Sequence, residues 1–345
     1  MEQIYTPKQK YKVLTLCMTF NQSKYIEDTL NGFAMQTTDF PFACLVMDDC
    51  STDGEQEVIK VWIDRECDIA KAEYVDLELS NVILIPHKKN KNCNFAFYLL
   101  KQNLYKYKKR KMSLVTPWRE LCEYEAMCEG DDYWVSPNKL QLQIDYLDHN
   151  PDFSLCFHKV KTIAEKGRKH HDFFGYLETR EYSITEMLKK WTVPTCSMVM
   201  RTSIIPRIPS NPNFKVGDNV IVLTCLKYGR MYCFGESMGI YRLSTEGWTG
   251  QSIAENCKKQ IIHIKALMET FESCRNEIMN DKLRDEYKKL YSCHFADLQF
   301  EECRKVKFEY ISIFKDFPFC NFLLFSCVFL IKYWLKRLLI YMNLI

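Results

Sequence analysis

The sequence predicts an α/β fold: a mixed, mostly parallel sheet flanked by helices, followed by a helical C-terminal extension. Three observations point there. The first 90 residues alternate between short β-rich apolar runs and segments of helical period. Acidic turns follow two apolar runs directly, at Asp48-Asp49 and at Glu129-Gly130-Asp131-Asp132. From residue 251 to about 314 the pattern turns mainly helical, with heavy charge.

Residues 11–20 are apolar and rich in β-formers, which predicts the first strand. Ser23 can cap a helix running to about Met35, with Tyr25, Ile26, Leu30 and Phe33 on one face. Residues 42–47 make the next strand, which ends in Asp48-Asp49-Cys50-Ser51-Thr52-Asp53-Gly54. Residues 58–69 read as a second helix and 82–86 as a third short strand. Residues 95–105 are expected to be helical. The run 106–111 holds five basic residues, either a solvated insertion or a contact for an anionic membrane surface or lipid-linked phosphate. Residues 124–128 predict a short strand, and Pro137 opens an amphipathic helix with Leu140, Ile144 and Leu147 inward. Strands are expected at 153–160, 195–200, 231–234 and 240–243, and a helix at 218–228. The helical C-terminal region has a weak break near Asn280, and no internal repeat is visible.

The chain has 345 residues, 47% hydrophobic and 26% charged, enough for one large domain or two ordinary ones. A net charge of +3 gives no electrostatic case for nucleic acid as the main partner. The 17 cysteines are scattered and contain no C-x-x-C, so they read as small buried hydrophobes in a reducing, cytoplasmic setting. Residues 1–12 lack the apolar stretch of a signal peptide. Residues 317–331 carry no charge, and Lys332, Lys336 and Arg337 follow. That run is short of the roughly 20 residues that span a bilayer. It suits a helix lying in a membrane interface, or one packed back on the globular body.

Three acidic positions could carry chemistry. A carboxylate beyond the end of a strand, as at Asp49, can accept hydrogen bonds from a base N–H or a ribose hydroxyl; an Asp-rich turn capping the next helix is the alternative. Carboxylates crowded at Glu129, Asp131 and Asp132 repel one another unless a cation intervenes. Hard oxygen ligands suit Mg²⁺ or Mn²⁺, with substrate phosphates completing the coordination. Gly217-Asp218 opens a helix, where Asp218 could be an N-cap or a general base. His170-His171 reads as an exposed polar loop, or as part of an acceptor loop.

Taken in order, these segments resemble the family 2 glycosyltransferases, inverting enzymes of the GT-A (Rossmann-like) fold. Thr19-Phe20-Asn21-Gln22-Ser23-Lys24-Tyr25-Ile26 is similar to the first nucleotide-contacting turn and helix, and Gln36-Thr37 with residues 46–53 to the second. Residues 129–134 with Lys139-Leu140-Gln141-Leu142-Gln143 resemble the variant DXD segment of the bacterial surface-polysaccharide branch. Gly217-Asp218 matches the base position and Tyr241-Arg242 the closing strand. Two departures stand out. His87 to Asn94 replaces the family's Gly- and Asn-bearing segment, and Leu243-Ser244 stands where many relatives carry a His.

The resemblance implies a transfer domain over residues 1–250, with a nucleotide-sugar half at about 10–135 and an acceptor half at about 136–250. A helical extension would follow at 251–316 and the tail at 317–345. It implies that Thr19, Asn21, Asp49 and Asp131 bind the donor nucleotide, UDP by default, and that Asp132 ligates the divalent cation. Asp218 would take the acceptor proton. The implied partners are a nucleotide-sugar and a saccharide or lipid-linked saccharide, on the cytoplasmic side and peripheral to the membrane through the tail. Two other classes remain: a catalytically silent partner-binding module, and a sugar nucleotidyltransferase. The latter should carry a Gly-rich basic loop after its first strand, and residues 19–25 contain no Gly and one basic residue.

Overall fold

The computed structural model describes residues 4–107, 111–165, 172–190, 193–243 and 252–315, with Phe322, residues 326–328 and Ile331 beyond them. The chain forms two compact units, Met1–Ile208 with Ile221–Ser244, and Pro209–Val220 with Thr245–Ile345.

The first unit is built on a single mixed sheet. Strands β1 (Tyr11–Thr19), β2 (Phe42–Asp48), β5 (Cys93–Leu100) and β6 (Cys122–Met127) lie parallel, in the order β5-β2-β1-β6. Every residue of β2 is buried, as expected of a central strand covered on both faces. Beyond β5, strands β4 (Ser80–Pro86) and β3 (Glu73–Asp76) extend the sheet antiparallel. On the other side β10 (Val199–Arg201) runs antiparallel between β6 and β8 (Phe153–Ala164). Strand β11 (Arg230–Leu243) then lies parallel to β8. It pairs antiparallel with β7 (Tyr133–Trp134) and with β9 (Arg180–Glu181).

Helices α1 (Ile26–Ala34) and α2 (Glu55–Glu66) connect β1 to β2 and β2 to the β3–β4 hairpin. Helix α1 meets β7 so closely that a Cβ at Gly32 would lie 2.9 Å from the Trp134 backbone nitrogen. Helix α3 (Met112–Arg119) precedes β6, and α4 (Lys139–His149) follows β7. Buried Gln36 ties these parts together. Its amide donates to Gly32 O and Ser136 O and accepts from the Leu140 N–H. Helices α5 (Ile184–Lys189) and α6 (Gly217–Tyr228) follow, the latter running from the second unit into the first. In the second unit, α7 (Ile253–Thr270), α8 (Glu277–Ala296) and α9 (Phe300–Phe314) pack in sequence, with Glu309 receiving Lys265 and the Tyr287 hydroxyl.

Several expectations are corrected. Residues 95–105 are not helical: 95–100 lie in β5, hydrogen-bonded to β2 and β4 with the side chains from Phe95 to Leu100 all buried, and 101–105 are bend and turn. The predicted third strand at 82–86 is β4, which is antiparallel and outside the parallel core. Ser23 is not a cap, because α1 starts later, at Ile26, behind a turn in which Tyr25 and Ile26 N–H both reach Gln22 O. Residues 231–234 and 240–243 belong to one strand whose register shifts between Phe234 and Gly239, a bulge that breaks the apolar pattern. Residues 195–197 form a 3-10 turn, so only Val199–Arg201 is strand. The break in the helical region falls at residues 271–276 rather than at Asn280.

The described cysteines are free thiols, all buried except Cys50 and Cys327. Among the described residues no helix is long and apolar enough to cross a membrane. Residues 108–110 of the basic run, His170-His171, Ser244 and most of the tail lie outside the described residues.

Candidate active site

The carboxyl ends of β1 and β2 lie side by side, and two turns leave them. Thr19 ends β1, and its carbonyl accepts the Asp49 N–H at 3.0 Å. Asn21 and Cys50 both adopt positive φ, 56° and 61°, which reverses each chain sharply at the strand end. The turns are then stitched together. Asn21 N–H donates to Ser51 Oγ, Thr52 N–H to Asn21 Oδ1, and Ser23 N–H to Asp53 Oδ2, all within 2.8–2.9 Å. Asn21 therefore shapes the first turn by gripping the second.

Asp48 and Asp49 are both buried but differently held. Asp48 Oδ2 accepts the Ser51 N–H at 3.2 Å. Asp49 accepts the N–H groups of Leu104 (2.7 Å) and Tyr105 (3.2 Å), and Lys111 Nζ sits 2.5 Å from its Oδ2. The expected base-binding carboxylate is thus already engaged by Leu104, Tyr105 and Lys111.

The acidic turn after β6 closes over this pair of turns. A Cβ at Gly130 would lie 2.7 Å from Thr19 Cβ and closer still to Thr19 Oγ1 and Gln22 Oε1, so only glycine fits. Thr29 from α1 donates to Asp132 O (2.6 Å) and Gly130 O (3.0 Å), fixing the turn from below. Arg242 from β11 fixes it from the other side. Its N–H donates to Asp132 Oδ1 at 2.8 Å, and its guanidinium donates to Asp131 O at 2.8 Å and pairs with Asp28. The guanidinium also lies 4.4 Å from the centre of the Tyr133 ring.

Burial raises the Asp131 carboxyl above its ordinary range, against the pull of Arg242 and of a hydrogen bond from Gln22. Burial also raises Asp132 well above the usual carboxylate range, and the Asp131 charge adds to that shift. Two desolvated neighbouring carboxylates of this kind favour a bound cation, which reverses both effects. Among the described residues no group of three His, Cys, Asp or Glu side chains forms a ready metal cage. A hard divalent ion held by one or two carboxylates, with the rest of its coordination from phosphates and water, fits this donor set.

Asp218 belongs to the second unit, inside the first turn of α6. It accepts the Asn219 N–H at 2.9 Å, and its charge suits a helix N-terminus. The segment is anchored on buried His263 of α7: Lys215 N–H reaches Nδ1 at 3.3 Å, and the Asn219 amide lies 3.4 Å from Nε2. Burial, with Lys215 nearby, lowers His263 to about 4, so the ring is neutral. Nδ1 accepts the Lys215 N–H, which leaves the ring proton on Nε2.

Residues 16–97 match the family model described as Glycosyl transferase family 2. The chain carries a family 2 glycosyltransferase domain. The match takes in Thr19, Asn21 and Asp49, whereas Asp131, Asp132 and Asp218 lie beyond it. Two uncharacterized proteins, from Mycobacterium tuberculosis (strain ATCC 25618 / H37Rv) and Mycobacterium bovis, are each 30% identical over 236 residues. The alignments cover 67% of this chain and 58% of each relative, so the chain spans less than two thirds of their length. Among solved structures, residues 1–349 of S. aureus TarS with UDP-GlcNAc align at a TM-score of 0.54 and 15% identity. That alignment covers 87% of this chain and 80% of that one. A mannosyltransferase from Pyrobaculum calidifontis, in complex with GDP-Man and Mn²⁺, aligns at 0.53 and 12%, covering 95% and 83%. At such identities the likeness is one of fold, and the fold is that of GT-A enzymes.

Two residues of this glycosyltransferase domain escaped the sequence reading. Arg242 was visible only as part of a closing strand, because its partners Asp28 and Asp132 are remote in sequence. Glu55 lay just ahead of the helix expected at 58–69 and drew no notice, yet it opens α2 and is fully buried between Thr19, Gln22 and Ser51. A cleft of about 530 Å³, lined by Asn31, Met35, His87, Lys89 and Asn92 among others, opens at the opposite, N-terminal ends of β2 and β5. It is remote from these groups.

Proposed function

We propose that this chain is an inverting glycosyltransferase that moves a sugar from a nucleoside-diphosphate sugar to a hydroxyl acceptor. The observation that carries the reading is the closure of the Gly130-Asp131 turn onto the Thr19–Gln22 turn, which is itself bonded to the turn after β2. It brings a desolvated acidic pair to the strand ends where α/β folds bind nucleotides. Thr19, Asn21 and Asp49 hold the nucleoside, with Asp49 on the base once Leu104, Tyr105 and Lys111 release its carboxylate. Asp131 approaches the ribose or the cation, and Asp132 is the direct ligand of Mg²⁺ or Mn²⁺. Such an ion, when bound, neutralises charge on the departing diphosphate.

Asp218 accepts the proton of the acceptor hydroxyl as its oxygen attacks the anomeric carbon from the face opposite the diphosphate. The bond from that carbon to the diphosphate oxygen breaks, the nucleoside diphosphate leaves, and the centre inverts. Positioning supplies a large part of the acceleration, and a placed base adds about 10²–10⁴-fold. UDP is the default nucleotide. The neighbouring folds were solved with UDP-GlcNAc and with GDP-Man and Mn²⁺, which supports this class of donor and cation. The acceptor is a surface polysaccharide or its lipid-linked precursor.

A panel of UDP- and GDP-sugars with Mg²⁺ or Mn²⁺ tests the reading. One donor is expected to give metal-dependent release of nucleoside diphosphate that chelation abolishes. No donor raising the melting temperature, and none being turned over with acceptor extracts, would sink it.

A further inference from the structure

Glu55 opens α2 directly after Gly54, whose φ of 88° turns the chain so that the carboxyl faces inward. Its exposure is 0%, and among the described residues no basic side chain pairs with it. A carboxyl in that position needs its hydrogen bonds complete. Oε2 accepts the Gln22 N–H and the Ser51 hydroxyl, both at 2.8 Å. Oε1 meets the Thr19 hydroxyl. One side chain therefore joins the end of β1, the turn after it and the turn after β2.

The proton count in this cluster is restrictive. Gln22 gives its amide N–H to Asp131, which leaves Gln22 Oε1 to accept from Thr19 at 2.8 Å. Thr19 has one hydroxyl proton and faces two acceptors, Gln22 Oε1 and Glu55 Oε1, so it can satisfy only one of them fully at a time. The titratable groups facing Glu55 are Asp48 at the end of β2 and Cys17 on β1, with Asp131 one step away through Gln22. All are acidic or neutral. Burial, with the Asp48 charge adding to it, pushes the Glu55 carboxyl up, against the hydrogen bonds from Thr19, Gln22 and Ser51.

We propose that Glu55 is the positioning residue of the donor pocket, holding Thr19, Gln22 and Ser51 in the one arrangement that receives the nucleoside and seats Gly130. The proposal rests on the glycosyltransferase reading. It makes a chemical distinction: Glu55→Gln presents an N–H to Thr19 and an oxygen to Gln22 and Ser51, and so reproduces the cluster. Glu55→Asp keeps the acid but is one methylene too short to reach both turns.

The test measures dissociation constants for UDP, GDP, CDP and dTDP with Mg²⁺ by calorimetry, on the full chain and three variants, beside ligand-free melting temperatures. For whichever nucleotide the wild type binds, Glu55→Gln is expected within about 3-fold of it. Glu55→Ala and Glu55→Asp are each expected to lose about 10-fold or more. A folded Glu55→Ala that melts earlier but binds normally overturns the proposal and leaves the glycosyltransferase reading standing. Equal losses in Glu55→Gln and Glu55→Asp also overturn it. Should Glu55→Ala not fold, the Gln and Asp variants decide by the same comparison. A wild type that binds none of the four nucleotides overturns the functional reading and this proposal with it.

Discussion

Gly130 is the point at which a single added methyl group would separate the acidic turn from the turn after β1. Thr19 cannot give way, because its hydroxyl is held by Glu55 and Gln22 behind it. Gly130→Ala should cost about 1–3 kcal/mol through overpacking and displace Asp131 and Asp132 from the donor. Denaturant unfolding and nucleotide titration check both parts; a variant as stable as wild type with unchanged affinity would show that the turn tolerates displacement. At this scale the sequence was partly legible. The acidic residues of the turn stood out because carboxylates directly after apolar runs need a reason. Glu55 and Arg242 did not, since an acid beside a helix start and an arginine on a strand are ordinary until their burial and partners are known.

Among the elements, β1 and β2 were readable as short apolar runs closed by polar turns, the second rich in Asp, Ser and Gly, and α1 and α2 by their helical period. Strand β5 was not. Buried on both faces, it shows a continuous apolar run that has no period to read, and the following basic residues lengthened it into an apparent helix. Helix α4 carries a feature invisible to pattern: Lys139, fully buried, with Nζ 3.9 Å from the Trp134 ring centre and no hydrogen-bond partner among the described residues. Burial lowers this lysine from 10.5 to about 7. As pH falls from about 10 to 7, the unfolded chain takes up a proton that the fold resists. The group therefore lowers stability through that window, and its penalty is complete below 7. Lys139→Met should stabilise the protein at pH 7 by roughly 1–4 kcal/mol. The gap between the two proteins should narrow by about 2 kcal/mol at pH 9. Urea unfolding at both pH values measures it, and a gap independent of pH would mean that Lys139 is not the titrating group.

For the whole molecule, the sequence predicted an α/β body followed by helices, and that is the architecture observed. It did not show that residues 209–220 cluster with the C-terminal helices, because such an association depends on His263 meeting Lys215 and Asn219 across more than forty residues. The division has a consequence for the proposed chemistry. Thr19, Asn21, Asp49, Asp131 and Asp132 all belong to the first unit, and Asp218 to the second. Donor binding and proton removal should therefore respond separately to substitution. Asp218→Asn keeps the size of the side chain and a carbonyl oxygen to accept the Asn219 N–H, so the start of α6 should survive. With the basic oxygen gone, transfer should fall by about 10²–10⁴-fold while the nucleotide dissociation constant stays within about 2-fold of wild type. Asp132→Asn should do the opposite to binding, weakening metal-dependent nucleotide affinity. Titration of nucleoside diphosphate beside product formation distinguishes the two variants. If Asp218→Asn loses binding and transfer together, and melts earlier, then Asp218 serves the helix start rather than the acceptor.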